Sequence, residues 1–475
     1  FKKHGLLVLL SRVEDHNTTL ETYLDRSTLE NALETIEIPP LSLEETAKLI
    51  ITMFGKELQP ALVEKVQIET GGNPFFLIET LRSLQDEQTN LANFNEYEYF
   101  PIPPTVRAMV QEKLRPLSSN AREVLLSASV LGRRFLPEVL EEMVPMSGQD
   151  MGNALEKLME ASILIGDSGL QSNAHYEFSH DQVREVVLES LSPARKRLLH
   201  LEAVKALIKV KGDAPELASV FAYHYSLAGE NSKAFNHWCK AGRFARLCFS
   251  NKDCFLAYQK ALDLLPSIPI VENIPVIQNF FSEWIDFCVE TNDLAKVEEI
   301  SRKCLELGER LSDPVFIGLG HSGLGQAAVV QNRMGDATDL LQRARYYFIK
   351  AGAKTETLET IAILGYILEL NNDFPGALRC YEEGISIAGE GETLPSLKSS
   401  VLIQSQFSIF YNLIGRPGMA AELAAKAVND SLLTNSPSTR VRAHTALALS
   451  LYYSGKYRKS IASVEEVYQL AEQYG

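Results

Sequence analysis

The hydrophobic period changes several times along the chain. Gly5-Leu6-Leu7-Val8-Leu9-Leu10 is an unbroken apolar run that stops at Ser11 and Arg12. Such a run fits a strand covered on both faces, as in a parallel α/β sheet. Ile36-Glu37-Ile38, stopped by Pro39-Pro40, predicts a second short strand. Ser42-Leu43-Glu44-Glu45 then has capping-box spacing and predicts a helix through Phe54. A further helix over about 59–69 leads into Thr70-Gly71-Gly72-Asn73-Pro74-Phe75-Phe76. Two adjacent glycines let the backbone turn sharply or approach a neighbour closely. Asn73 is a cap and Pro74 a first helical residue, and Phe75, Phe76, Leu77, Ile78, Leu81 and Leu84 continue at helical spacing.

Residues 89–104 are polar and then proline-rich, which marks a boundary. After it, periodicity predicts helices at about 105–115, 119–131, 136–143 and 150–161. Ile163-Leu164-Ile165, the turn Gly166-Asp167-Ser168-Gly169 and Tyr176-Glu177-Phe178 predict a two-stranded hairpin. Helices follow from about 180 to 190 and from Ser192-Pro193 onward, so this stretch predicts a winged-helix module.

From about residue 200 the chain is helical and repeats. A Gly or Asn beside a polar residue, with a small or apolar residue five positions on, recurs at Asn292, Gly335, Asn372, Gly415 and Gly455, in steps of 43, 37, 43 and 40. Gly229-Glu230, with Ala234, Trp238 and Ala241, fits the same frame. Such periods predict stacked helix hairpins, a solenoid of tetratricopeptide type. Its concave groove is expected on the first helices of the hairpins, Tyr366 and Tyr411 included. Gly318-Leu319-Gly320-His321-Ser322-Gly323 matches a dinucleotide fingerprint but follows Asp313-Pro314, not a strand, so these glycines predict tight helix packing.

Composition narrows the function classes. The 475 residues exceed one ordinary domain, and a first residue of Phe predicts a piece of a longer protein. A net charge of −15 repels phosphate backbones, so nucleic-acid binding is disfavoured, although Arg195-Lys196-Arg197 forms one basic cluster. The six cysteines have no CxxC pairing and predict small buried hydrophobes of a reducing, cytoplasmic compartment. No apolar run is long enough to span a bilayer.

With these parts in order, the whole chain resembles the signal-transduction ATPases with numerous domains (STAND), in their bacterial branch of large transcriptional activators and ATPase-linked cyclases or kinases. Leu6 to Arg12 resembles the strand ending in a sensor arginine. "IPPLSLEETAKLI" resembles the linker into the helical lid, and "TGGNPFFLIETLR" is the most specific match. Phe178-Ser179-His180-Asp181 resembles the motif after the wing. The resemblance implies a fold of mainly α class. The expected parts are a C-terminal remnant of an α/β P-loop NTPase (1–40), a helical lid (41–100), a winged helix (101–200) and a tetratricopeptide-like solenoid (201–475). It implies that Ser11 and Arg12, Asn73 and Pro74, and His180 face an adenine nucleotide. Arg12 would face the γ-phosphate, Pro74 the adenine and His180 the β-phosphate of ADP. ATP or ADP with Mg2+ would be the cofactor of the intact protein. The phosphate loop G-x-x-x-x-G-K-[ST] is missing, because neither Gly55-Lys56 nor Gly455-Lys456 has the earlier glycine. The chain alone is therefore expected neither to bind ATP well nor to hydrolyse it. A protein, peptide or small-molecule effector is expected on the solenoid, with self-association of the intact protein. The alternatives are a winged-helix DNA-binding regulator and a repeat scaffold without nucleotide coupling.

Overall fold

The protein, described as a computed structural model, is mainly α-helical. The structure describes residues 36, 38–55, 58–86, 102–166, 175–389, 394–434 and 436–474. The expected strand at Gly5–Leu10, with Ser11 and Arg12, lies outside them. Two units are distinct. One takes the described residues up to Ala245 with Lys252–Ser267, and the other takes Arg246–Asn251 with the residues from Ile268.

The first unit opens with three helices, α1 (Leu43–Phe54), α2 (Pro60–Thr70) and α3 (Pro74–Asp86). The Ser42 capping box is complete: the Glu45 carboxylate accepts from the Ser42 amide at 2.8 Å, and the Ser42 hydroxyl accepts from the Glu45 amide at 3.3 Å. Ile50, Val66, Leu77 and Leu81 close a small core between the three helices. Just before them the expected strand at 36–38 is not formed. Ile36 and Ile38 lie in no strand and are exposed, and Glu37 is outside the described residues. Two isolated apolar positions have no neighbouring described strand to pair with, and pairing is what stabilises so short a segment.

The unit continues through α4 (Pro104–Leu114), α5 (Ser119–Leu131), β1 (Arg134–Phe135), α6 (Pro137–Met143), α7 (Gly148–Glu160), β2 (Leu164–Gly166) and β3 (Tyr176–Phe178). The expected hairpin is present. It carries an additional strand, giving an antiparallel sheet of order β1-β3-β2 with Leu164 opposite Phe178 and Phe135 opposite Tyr176. Phe178 is fully buried among Val124, Leu140, Leu158 and Val186, a burial worth about 1.5–3 kcal/mol. Phe76 reaches into this same core from α3. Then come α8 (Asp181–Ser190), α9 (Pro193–Lys211), α10 (Ala218–Ala228), α11 (Asn231–Leu247, its last residues counted with the second unit) and α12 (Asn251–Leu264).

The second unit is a run of antiparallel hairpins: α13 (Ile274–Glu290) with α14 (Leu294–Leu311), α15 (Pro314–Val330) with α16 (Met334–Ala351), α17 (Lys354–Leu370) with α18 (Phe374–Ala388), α19 (Leu394–Leu413) with α20 (Pro417–Leu432), and α21 (Pro437–Tyr453) with α22 (Tyr457–Tyr474). The first helices of neighbouring hairpins stack, α13 on α15, α17 on α19 and α19 on α21. Each hairpin turns on a left-handed residue: Asn292, Asn332, Asn372, Gly415 and Gly455. The recurring position read at Gly335 is thereby shifted to Asn332. Gly335 lies inside α16, and Asn332 (φ 59°) makes the turn. Asparagine tolerates this conformation through its short polar side chain, so it stands in for glycine. Asn292, Asn332 and Asn372 are then spaced by 40 residues.

Gly318, Gly320 and Gly323 sit inside α15, not after a strand. A Cβ there would lie 2.6 Å from the Phe348 ring, 2.8 Å from the Ser301 carbonyl oxygen and 2.2 Å from the Ser301 hydroxyl. They are the close-packing glycines that the absence of a preceding strand predicts. Five cysteines are buried, all six are free, and Cys248 is exposed. Among the described residues no helix is long and apolar enough to cross a membrane.

Candidate functional site

Two places collect polar side chains into an arrangement that helix packing alone does not use. One is in each unit.

In the first unit, the Gly71-Gly72 turn is fixed from both sides. Gly71 and Gly72 have φ of 61° and 68°, where a side chain is strained. The Leu41 amide donates to the Gly72 carbonyl at 2.9 Å, and a Cβ on Gly72 would come within 2.4 Å of the Leu41 carbonyl oxygen. Asn73 caps α3, its side-chain oxygen accepting from the Phe75 amide at 3.0 Å, and Pro74 is the first residue of that helix. Pro74 and Phe75 are exposed. His180 occupies the N-cap position of α8, but its side chain makes no capping bond. Its ring instead packs edge-on against Phe76, centroids 4.6 Å apart, and its Nδ1 is 3.9 Å from where a Gly71 Cβ would be. Gln182 of α8 donates to Thr80 of α3 at 2.9 Å, holding the two helices together. Gly71 and Phe76, which flank Asn73 and Pro74 in sequence, therefore lie beside His180 from a distant stretch of the chain.

The same neighbourhood carries charge. Arg184 pairs with Asp181 and Glu185 and donates to the Ser129 carbonyl at 3.2 Å. Glu69 on α2 is pushed up to about 7, chiefly by burial, with Asp181 and Glu185 adding to the shift and Lys65 opposing it. Arg195, in the basic cluster, is paired with Glu123, so that cluster is a partly neutralised helix face.

In the second unit, a cavity of about 440 Å3 opens on the stacked first helices. That volume is in the range of small-molecule sites, roughly 300–1,000 Å3. All five first helices contribute to its walls. Residues 282, 322, 362, 402 and 442 recur in the lining at steps of 40, as do 286, 326, 366 and 406. The repeat thus places Ser282, Ser322, Ala362, Leu402 and Arg442 in one row, and Asp286, Gln326, Tyr366 and Gln406 in another. Tyr366 faces the cavity, as the sequence predicts. Tyr411 does not: it is buried and stacked on Phe407 at 4.1 Å, a core residue. Its aromatic ring serves the hairpin interior because it falls outside both groove-facing rows.

Three carboxylates line this groove, Asp286, Glu356 and Glu359, against one lining cation, Arg442. Water in the groove reaches Asp286 and Glu359, yet the surrounding helices enclose them enough to weaken their hydration. The Glu359 carboxyl is pushed up to about 7 by that enclosure and then by Asp286 and Glu356, with the Ser399 hydroxyl (donating at 3.1 Å) and Arg442 acting the other way. Asp286 is pushed up to about 6, again by enclosure first, with Glu290 and Glu283 adding to it and Arg246 opposing. Among the described residues neither Asp286 nor Arg442 makes a hydrogen bond or a contact ion pair. Among the described residues no His/Cys/Asp/Glu group has the arrangement of a metal site.

The hairpins define a helical-repeat protein with a solenoid of tetratricopeptide type. No family model and no curated protein matches the chain. Among solved structures it is similar to a signal transduction ATPase with numerous domains (STAND) protein with a tetratricopeptide repeat sensor from Pyrococcus horikoshii. The two share 16% identity, the match covers 92% of this chain and 68% of that one, and the TM-score is 0.37. It is also similar to a Rap protein complexed with competence and sporulation factor (12% identity, 91% of this chain and 99% of that one, TM-score 0.36). A third is aspartyl phosphate phosphatase F from Bacillus subtilis (14%, 78% and 95%, TM-score 0.36). These likenesses concern the helical-repeat fold alone.

Proposed function

We propose that the chain is the sensor and regulatory portion of a STAND-type switch, in which the groove of the second unit receives a protein, peptide or small-molecule effector. The observation that supports the reading is the groove itself. It is a concave surface built by five stacked helices and lined with polar and charged groups, of which Asp286 and Arg442 are not satisfied within the fold. A groove that served only helix packing would be filled with apolar side chains, as the hairpin interiors are. Deleting residues 274–474 from the full-length protein is expected to abolish its response to inducer while leaving nucleotide binding by the ATPase domain intact. A deleted protein that still responded would place the sensor elsewhere.

Nucleotide coupling is the finer part of the proposal. What supports it is the convergence of the Gly71–Pro74 turn and His180, two motifs set far apart in the chain. In this reading Pro74 lies against the adenine of bound ADP, and His180 donates to its β-phosphate from a helix N-terminus that already favours anions. Ser11 and Arg12 would approach from the ATPase side, with Mg2+ held by that domain. His180→Ala in the full-length protein should raise ADP release and basal activity. Unchanged release would reduce His180 to a packing partner of Phe76.

A further inference from the structure

The charge of the groove says what kind of effector it takes. We propose that the groove of the second unit binds an organic cation, a primary ammonium or guanidinium group, which settles between Asp286 and Glu359 with its attached chain against Tyr366. This rests on the reading of the groove as the effector site and names the ligand class.

Acidity alone would not carry the assignment, since surface carboxylates are commonly solvated. Three further features do. Asp286 accepts no hydrogen bond among the described residues, although it lies on the groove wall where the surrounding helices weaken its hydration. Glu359 is held by a single hydroxyl, that of Ser399, which leaves most of its acceptor capacity free. Asp286 also adds to the upward shift at Glu359, so the two carboxylates sense each other across the groove between α13 and α17. The helices around them contribute charge of both signs. Glu283 and Glu290 on α13 and Glu356 on α17 add negative charge, whereas Arg246 and, on α21, Arg442 oppose it; α15 contributes only neutral residues to the lining and α19 the Ser399 hydroxyl. Glu290 is itself paired with Arg246, and on the groove wall Asp286, Glu356 and Glu359 outweigh Arg442, so the net field is negative. A ligand ammonium or guanidinium would supply the missing donors, and the half-exposed Tyr366 ring offers an apolar or cation–π wall beside them. An anionic or neutral ligand would leave the carboxylates repelling each other.

The same chemistry can come from a basic peptide side chain or from a free polyamine, and the test separates the two. The full chain is titrated calorimetrically with a capped tetrapeptide containing two arginines, with the same peptide carrying citrulline in their place, and with spermidine. The arginine peptide or spermidine is expected to bind, and whichever binds identifies the source. Binding should strengthen from pH 6 to pH 8 and release protons, because the cation drives Asp286 and Glu359 into their ionised forms. Glu359→Gln and Asp286→Asn should each weaken binding by about tenfold or more. Both substitutions keep shape and relieve repulsion, so the melting temperature should hold or rise, which separates lost binding from lost folding. Equal binding of the citrulline peptide would overturn the proposal while leaving the groove as a receptor. Failure of both cations to bind, or binding unchanged in the two variants, would also overturn it. A repeat-deleted protein that still responds to inducer would instead sink the sensor reading underneath.

Discussion

Gly320→Ala and Gly335→Ala are the same chemical change with opposite expected signs. In a helix interior, alanine is favoured over glycine by about 0.8–1.0 kcal/mol. At Gly335 nothing lies within 4 Å of the added methyl, and the backbone is helical. The substitution should stabilise the second unit by up to about 1 kcal/mol, less than the full amount because the site is in the first turn. At Gly320 the methyl would sit 2.8 Å from Leu305 Cβ, 2.8 Å from the Ser301 carbonyl oxygen and 3.0 Å from the Leu305 amide nitrogen. Two of these three atoms are backbone, so α14 and α15 must separate by several tenths of an ångström along a fully packed face. Overpacking of this kind costs about 1–3 kcal/mol, and separation also loosens the adjoining contacts of Gly308 and Gly323. None of the three atoms is the far end of a flexible side chain, so the cost falls in the upper part of that range, about 2–3 kcal/mol, and after the helix-propensity gain the net loss should be about 1–2 kcal/mol. At about 2–4 °C per kcal/mol for a unit of this size, the melting temperature should fall by about 2–8 °C, while Gly335→Ala should leave it level or slightly raised. Thermal unfolding followed by circular dichroism at 222 nm reads both. A Gly320→Ala protein as stable as wild type would refute the close approach of α14 and α15.

Three further outcomes follow from particular contacts. Asn73→Ala should cost about 1 kcal/mol, by loss of the cap on α3, in a chemical-denaturation comparison with wild type. Tyr381→Phe removes the hydroxyl that donates to Glu369 and should cost about 1–2 kcal/mol; a neutral result would mean that water replaces it. The buried rings of His200 and His224 meet Nδ1 to Nδ1 at 3.0 Å and are held neutral, pushed down by burial to about 4 and about 3. The unfolded chain, with ordinary histidines, takes up protons first, so the stability this pair contributes is complete above about pH 6.5 and is lost as pH falls toward 4. His224→Gln should flatten that dependence, and an unchanged profile would show that the pair does not titrate on unfolding.

Much of this architecture is legible in the residue pattern. Capping chemistry places α1 and α3 to the residue, because Ser42 with Glu45 and Asn73 with Pro74 satisfy helix ends locally. The fingerprint of three glycines is separated from a nucleotide loop by the absence of a strand before it. Strand β1 escapes detection, since two residues cannot show an alternation and pair only through β3. The repeat register slips for a subtler reason. Gly335 carries the expected residue type, but Asn332 carries the left-handed backbone. With Asn332 as the turn, the step of 40 aligns Asp286, Gln326, Tyr366 and Gln406, and the groove can be read directly from the sequence. Without it, Tyr411 looks as good a groove residue as Tyr366. The carboxylates of the groove leave no local signal at all, because an acidic residue on a helix face reads as solvated until the neighbouring helices enclose it.

The claim that the groove is the receptor can be tested without knowing the effector. Tyr366 is 47% exposed on the groove wall, and Tyr346, on the second helix of a hairpin, is 61% exposed in the same unit. Each is replaced in turn by p-azidophenylalanine in the full-length protein, and the two are irradiated in cells under inducing conditions. The account predicts a discrete adduct at position 366, diminished when Glu359→Gln is added, and none of that mass at position 346. Equal labelling at both positions, or an adduct confined to 346, would contradict it.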